Sequence, residues 1–488
     1  MDTQDNNIKI FALTDCHQEA RKLCCLFTGI VNRSPKNGKN ILICDCGDLF
    51  KGLYAPELCV KSYLTLRNLL PEAKIVIAVG NNDFGFNSES LKFLQTTAKT
   101  FNKANIHVLC ANLRDLKTNT YPSWVDPYIL LNINNKKVLV TSFCINYIKL
   151  QKYGLQLIDI KEAFIQLKET VNFIKPDLFI VLNHALMPTS LELVNLAKQN
   201  DIKIDLIIGG HEHSLLQPDA ENNIYYPYAF SRTLMCFTCS ADNIKPELSE
   251  IVTYKQTGIN PVFEKPLQEY ETSAGLNVPI ALSVLNLERQ YASPCPIGTF
   301  IADAMRKAAH TDIAIISTGY IVHALRYEPN KMLTLYNIER VFSAETPLQT
   351  VKIKPDDLKL VFINALRYRY IQKTGNTRFL QASQNITVIC KQLPDNLCTV
   401  KQIFINNLPL FNEDGVALHP ETEISCALDP FIGSGELGFD TLRLYPKETL
   451  IKNQKLVRIK DLFLNAVRKA PEQYSPGYSY PSYKIIDL

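Results

Sequence analysis

Five hydrophobic runs in this chain each end in a short segment rich in residue types that can bind cations. FALTDCH follows IKI, ICDCGD follows NIL, GNND follows KIVIAV, NHA follows DLFIVL, and GGHEH follows IDLII. Short apolar runs bounded by polar turns read as buried strands. Their ends supply Asp15, His17, Asp48, Asn81, His184, His211 and His213. An open α/β sheet presents such positions together, just beyond the carboxyl ends of its strands. The pattern therefore calls for a layered α/β domain whose strand ends converge on one site.

Carboxylate, imidazole and carboxamide groups suit hard or borderline divalent cations. Their number points to two ions, about 3.5–4 Å apart in such sites, bridged by a carboxylate. Asp48 is the candidate bridge, and Mn, Zn, Mg or Co would each fit. Asp-x-His and His-x-His place paired ligands on one side if the segments are extended, because side chains alternate there. Singly, each piece has an ordinary explanation: an Asp after a strand caps a helix or makes a turn, and a lone His is a surface or core residue. The chain has only 8 His, however. His17, His184, His211 and His213 fall at these strand ends, whereas His107, His310, His323 and His419 do not. Five independent ordinary explanations in this order are jointly improbable.

The order D-x-H, G-D, G-N-x-D, x-H and G-H-x-H resembles the calcineurin-like metallophosphoesterases, in particular the 5′-nucleotidase/UDP-sugar hydrolase/2′,3′-cyclic phosphodiesterase branch. The resemblance implies one metal held by Asp15, His17, Asp48 and His213, and another held by Asp48, Asn81, His184 and His211. It also exposes a departure. The family's third motif carries a His that assists the leaving group, oriented by an Asp three residues on. Asn82 and Gly85 stand at those positions here. A carboxamide can donate a hydrogen bond to a phosphoryl oxygen but cannot transfer a proton. The loss of a general acid is worth ~10²–10⁴-fold in rate. Asn82 and Asp48 are the candidate catalytic residues, with Asn82 orienting the phosphoryl group. Two further readings stay open: a silent metal- and ligand-binding homologue, and hydrolysis of another ester, such as a sulfur ester, on the same scaffold.

Composition sets the outer bounds. At 488 residues the chain exceeds one core, and 46% hydrophobic with 20% charged residues is ordinary for a globular protein. A net charge of +4 gives no case for a nucleic-acid or membrane partner. No apolar run approaches the roughly 18 residues of a membrane span. The start MDTQDNN has neither a basic region nor an apolar stretch, so no export signal is expected there. The 14 Cys lack a disulfide-framework spacing. The expectation is a cytoplasmic, reduced protein acting on a small-molecule nucleotide or phosphoester.

Strands alternate with helical spacing at 55–70, 89–104, 161–174 and 191–200, which argues for a layered α/β domain; the resemblance implies that residues 1–243 are the metallophosphoesterase domain, a layered β-sandwich flanked by helices. Polar and Pro-containing segments suggest a linker over 244–277, followed by a helix near 279–291. Residues 278–470 form a smaller α+β domain on this reading, and 471–488 a Tyr-, Pro- and Ser-rich tail that wraps or is disordered. PIGTFIADAMRKAAHTDIAIISTG, RFLQASQNITVIC and DPFIGSGELGF resemble the family's 5′-nucleotidase C-terminal domain. That resemblance implies a nucleoside base stacked between two rings, for which Phe431 and Phe342 are the candidates, with Ser317 at the substrate turn. Core packing is the alternative for Phe342, Phe431 and Phe439. Val322 stands where the family has a phosphate-facing Arg, and Leu437 where it has an acidic residue.

Overall fold

The apolar runs form strands in the computed structural model, which describes residues 7–85, 87–146, 150–213, 216–240, 244–342, 346–371, 379–394, 397–435 and 438–488, the side chains of 368–371 apart. The chain divides into two units, Met1–Tyr270 and Glu271–Leu488.

In chain order the first unit contains β1 (Ile8–Leu13), β2 (Ile41–Asp45), β3 (Lys74–Ala78), β4 (Ile106–Leu109), β5 (Leu113–Asp115), β6 (Tyr128–Ile133) and β7 (Lys136–Cys144). There follow β8 (Leu155–Leu157), β9 (Leu178–His184), β10 (Leu206–Gly209), β11 (Ile224–Tyr225), β12 (Thr233–Cys239) and β13 (Glu247–Thr253). One sheet has the order β13-β12-β1-β2-β3-β4, the other β11-β10-β9-β7-β6. β1 to β4 are parallel, as are β11, β10, β9 and β7.

The sheets face each other. Ile10, Ala12, Leu42, Val76 and Ala78 of the first share one apolar cluster with Val138, Val140, Ile180, Leu182 and Ile208 of the second. Leu139, Phe179 and Val181, one residue out of phase, pack outward with Phe164 and Leu193 of flanking helices. A strand with both faces covered needs apolar residues throughout, so it appears in sequence as an unbroken run. Helices enter on local signals. Helix Pro56–Leu69 opens with Pro at its first position. Asn87 caps Ser88–Lys103 by accepting from Ser90 N.

The second unit is α+β. Its five-stranded sheet runs Leu380–Ala382, Ile313–Ser317, Ile424–Leu428, Gln349–Ile353, Lys447–Thr449. Ile313 and Ile315 pack on one face with Phe362 of helix Pro355–Ile371. Ala314 and Ile316 pack on the other with Phe300 and Phe463 of helices Pro296–Ala309 and Ile459–Gln473.

Three expectations need correction in their local structure. The segment 244–277 holds β13, antiparallel to β12, and helix Pro261–Ser273. β13 lies at the sheet edge, and its polar residues, Glu247, Ser249 and Glu250, disguise it as a linker. The helix expected near 279–291 is instead strands Pro279–Leu282 and Leu285–Asn286. Ala281, Ser283, Leu285 and Leu287 are buried between exposed Leu282 and half-buried Asn286, close to the two-residue period of a strand, which buried Val284 interrupts where the two strands meet. The tail is not disordered: Lys484–Asp487 adds a parallel strand beside Ile386–Gln392, and buried Tyr480 donates to Asp303 Oδ2 at 2.8 Å. It does wrap.

Candidate metal centre

All seven candidate ligands lie at or just beyond the carboxyl ends of parallel strands: Asp15 and His17 after β1, Asp48 after β2, Asn81 after β3, His184 at the end of β9, His211 and His213 after β10. Ligand atoms of Asp15, His17, Asp48 and His213 lie within 4.8 Å of one another, as do those of Asp48, His184 and His211. Asp48 belongs to both groups. Asn81 joins the second, its Oδ1 lying 3.2 Å from His184 Nε2.

The reason these side chains converge differs from the one expected. Strand alternation does not bring them together, because Asp15, His17, Asp48, His211 and His213 all have left-handed backbones, with φ between 47° and 75°. Such conformations are uncommon for non-glycine residues and cluster at functional sites. Backbone bonds hold them. Asp15 N donates to Gly47 O at 2.8 Å and His17 N to Asp48 O at 2.9 Å, zipping the first two loops together. Asp83 ties in the third by accepting from Asp48 N at 3.0 Å, Phe50 N at 2.9 Å and Gly80 N at 2.8 Å. Close approach requires Gly80, where a Cβ would fall 2.3 Å from both Asp48 N and Oδ1.

The donor set fits divalent cations. His184 Nδ1 lies 2.7 Å from the carbonyl of Cys46, so Nδ1 carries a proton and Nε2 is the atom left to meet a cation or a second proton. Nε2 faces two acceptors, Asp48 Oδ2 at 3.3 Å and Asn81 Oδ1 at 3.2 Å. Similarly, His17 Nε2 lies 2.8 Å from His213 Nε2 and 3.6 Å from Asp48 Oδ2. Each of these close pairs needs a proton or a cation between its atoms. Burial alone would lower the His184 pKa, but Asp48 overrides it and pushes the imidazole up to about 10. Asp48 stays well below the ordinary carboxylate range: burial raises it, but the charges of His184 and His17 outweigh that. Burial and the charge of His184 bring His211 down to about 4.

Asn82 stands against this cluster. Its backbone N donates to Asp48 Oδ1 at 2.7 Å and its Nδ2 to Asp48 Oδ2 at 2.6 Å, while its Oδ1 accepts from Lys51 Nζ at 3.0 Å. The sequence reading missed Lys51, whose only signal was a basic residue three places after Asp48. It also missed Asp83 as the loop's anchor. Phe230, at φ 61°, packs on the rings of His17 and His213, each at 5.1 Å between centroids.

The candidate substrate residues of the second unit are not brought together as expected. Phe342 is 7% exposed and packs edge-on against Phe463 in the core, with centroids 5.5 Å apart. Phe431 is half-buried and instead meets Tyr320 edge-on at 6.2 Å. Phe439 is core. Ser317 is buried, its Oγ accepting from Gly319 N at 3.2 Å within its own turn. Leu437 lies outside the described residues.

A two-sheet sandwich with clustered Asp and His at its strand ends defines a metallophosphoesterase class of fold. Sequence comparison agrees: residues 8–215 match the calcineurin-like phosphoesterase family and residues 272–443 the 5′-nucleotidase C-terminal domain. The chain thus joins a calcineurin-like phosphoesterase domain to a 5′-nucleotidase C-terminal domain. Calcineurin-like phosphoesterases use a dinuclear metal site, and the two clusters sharing Asp48 are of that kind. The chain is similar to the metallophosphoesterase YunD of Bacillus subtilis, 22% identical over 67% of this chain and 72% of that protein. It is 29% identical to the endonuclease YhcR of the same organism, over 36% of this chain but only 15% of that protein's length. Its fold is that of a 5′-nucleotidase precursor from Thermus thermophilus, with a TM-score of 0.73 at 17% identity over 99% of both chains. No helix among the described residues is long and apolar enough to cross a membrane.

Proposed function

We propose that this protein is a metal-dependent phosphoesterase acting on a nucleotide-like phosphate ester or diphosphate. The observation that carries this reading is the pair of ligand clusters sharing Asp48 at the strand ends. Asp15, His17, Asp48 and His213 would hold one divalent cation, and Asp48, Asn81, His184 and His211 the other. Bound there, the ions would supply Lewis-acid charge to the phosphoryl oxygens and to an attacking water. The chain's own residues hold the arrangement still. The Cys46 carbonyl fixes the His184 ring, and Asn82 grips both oxygens of Asp48.

Proton supply to the leaving group is the weak point. Asn82 cannot give up a proton, so esters with good leaving groups are favoured over nucleoside 5′-alcohols. The same substitution supports a second reading, a silent metal- and ligand-binding homologue. Turnover of nucleotides, diphosphates and nitrophenyl phosphate after reconstitution with Mn²⁺, Zn²⁺, Mg²⁺ or Co²⁺ separates the two. Hydrolysis of any panel member above the metal-only background supports the enzyme, and full metal loading without turnover supports the binder. All 14 cysteines are buried and none is in a disulfide, which supports a reducing, cytoplasmic location.

A further inference from the structure

The loop after Asp48 is pinned more tightly than its sequence requires. Phe50 N is held by Asp83, and Gln18 N donates to Leu49 O at 3.0 Å. Gly52 N donates to Gln18 Oε1 at 2.6 Å, and a Cβ on Gly52 would fall 1.7 Å from His17 O. Between these anchors Lys51 adopts φ 73°, a conformation that favours glycine. This backbone delivers the Lys51 ammonium to Asn82 Oδ1 at 3.0 Å. The Asn82 amide can point only one way, with its acceptor toward the ammonium and its donor toward Asp48 Oδ2. A cation is thus tethered one side chain away from the carboxylate common to both ligand clusters. The site holds a fixed positive charge on the side where Asn82 offers no proton.

We propose that Lys51 binds a second phosphate of the substrate and makes the site selective for phosphoanhydrides, with Asn82 as its positioning residue. This rests on the phosphoesterase reading above and names its substrate class. In diphosphate hydrolysis the water oxygen bonds to the terminal phosphorus while the bond from that phosphorus to the bridging oxygen breaks. The bonding pair stays on the bridging oxygen, which leaves as part of a phosphate monoester, while one proton of the water stays on the orthophosphate formed and the other passes to solvent. A departing phosphate oxygen is weakly basic and needs a cation rather than a proton. An ammonium recognises such oxygens as a point charge. A departing alkoxide needs the proton that Asn82 cannot give.

The test uses the full-length, metal-reconstituted protein and Lys51→Met, with Lys51→Arg as the charge-retaining variant. Calorimetry measures binding of imidodiphosphate, a non-hydrolysable diphosphate, and of inorganic phosphate. Kinetics compare a nucleoside diphosphate with nitrophenyl phosphate. A hydrogen bond to a charged group corresponds to roughly 10–10²-fold, so Lys51→Met should weaken imidodiphosphate and slow the diphosphate by about that factor. Inorganic phosphate and nitrophenyl phosphate should change far less, and Lys51→Arg should recover part of the loss. Equal losses on both ligands overturn the proposal, because Lys51 would then serve the transferred phosphoryl group or the fold. Unchanged imidodiphosphate binding in a folded, metal-loaded Lys51→Met also overturns it. If the wild type turns over no ester yet binds imidodiphosphate through Lys51, the phosphoesterase reading fails and the second-phosphate site stands.

Discussion

Replacing Asn82 with His should invert the substrate preference of this site. The substitution brings a proton donor to the third motif and removes two contacts, the bond from Lys51 Nζ at 3.0 Å and the bond to Asp48 Oδ2 at 2.6 Å. General acid catalysis contributes ~10²–10⁴-fold. Without an orienting carboxylate at position 85, a gain near the lower bound, up to ~10²-fold on a nucleoside monophosphate, is expected. Releasing Lys51 forfeits a bond to a charged group, worth ~1.5–3 kcal/mol, so a nucleoside diphosphate should slow by ~10-fold or more. Rebuilding the full pair with Gly85→Asp is the wrong experiment. Gly85 sits at φ 65°, and a Cβ there would lie 2.1 Å from Ser90 Cβ. The left-handed backbone alone costs roughly 1–2 kcal/mol before that overlap is relieved. The assay is kcat/KM against leaving-group pKa for nitrophenyl phosphate, a nucleoside diphosphate and a nucleoside monophosphate, at matched metal content. An unchanged, steep dependence in a folded, metal-loaded Asn82→His would refute the argument that proton supply at this position limits the site.

Asp48→Ala should reduce divalent-metal content from about two ions toward none, whereas His184→Ala or His213→Ala should each leave about one, because only Asp48 belongs to both clusters. Elemental analysis after reconstitution decides it, and a tight single ion in Asp48→Ala would contradict the shared role. Gly80→Ala should lose metal affinity and, through overpacking of ~1–3 kcal/mol, melt several degrees lower. Gly258→Ala, where a Cβ meets nothing within 4 Å, should be neutral or stabilising by ~0.4–1 kcal/mol. Burial raises Asp45 to about 7, against the opposing bonds from Tyr63 and Gly47 N. A folded-state pKa above the unfolded value gives stability that is full below about pH 4 and lost as pH rises through 7. Thermal melts of the metal-free Asp45→Asn should therefore gain on the wild type steadily between those limits, and parallel curves would show that Asp45 carries no such penalty.

The strands and the ligands were legible in the sequence for the same physical reason. A sandwich strand covered on both faces must be apolar throughout, so its polar end is conspicuous, and His is scarce enough here that four of eight at strand ends carry weight. Edge elements were less legible. β13 and the strand at 279–282 are half solvated, and their mixed residues suit a linker or a helix as well as a strand. Phe342 was read as a base-stacking ring and packs in the core, since an aromatic residue in a motif looks the same whether it stacks on a base or on Phe463.

What no pattern announced is how the ligands are aimed. Five of the seven have positive φ, as has Lys51. Each such residue costs ~1–2 kcal/mol relative to ordinary backbone, so sequence propensity argues against these conformations one at a time. They persist because the loops bond to each other and not only to themselves: Asp15 to Gly47, His17 to Asp48, Gln18 to Leu49, and Asp83 to three backbone amides at once. A mutual arrangement of this kind is over-determined. It is also invisible to any reading that takes segments singly. The charge that Lys51 brings to Asn82 belongs to the same category, because a lysine after a strand is ordinarily a solvated surface residue until a pinned, left-handed loop turns it inward.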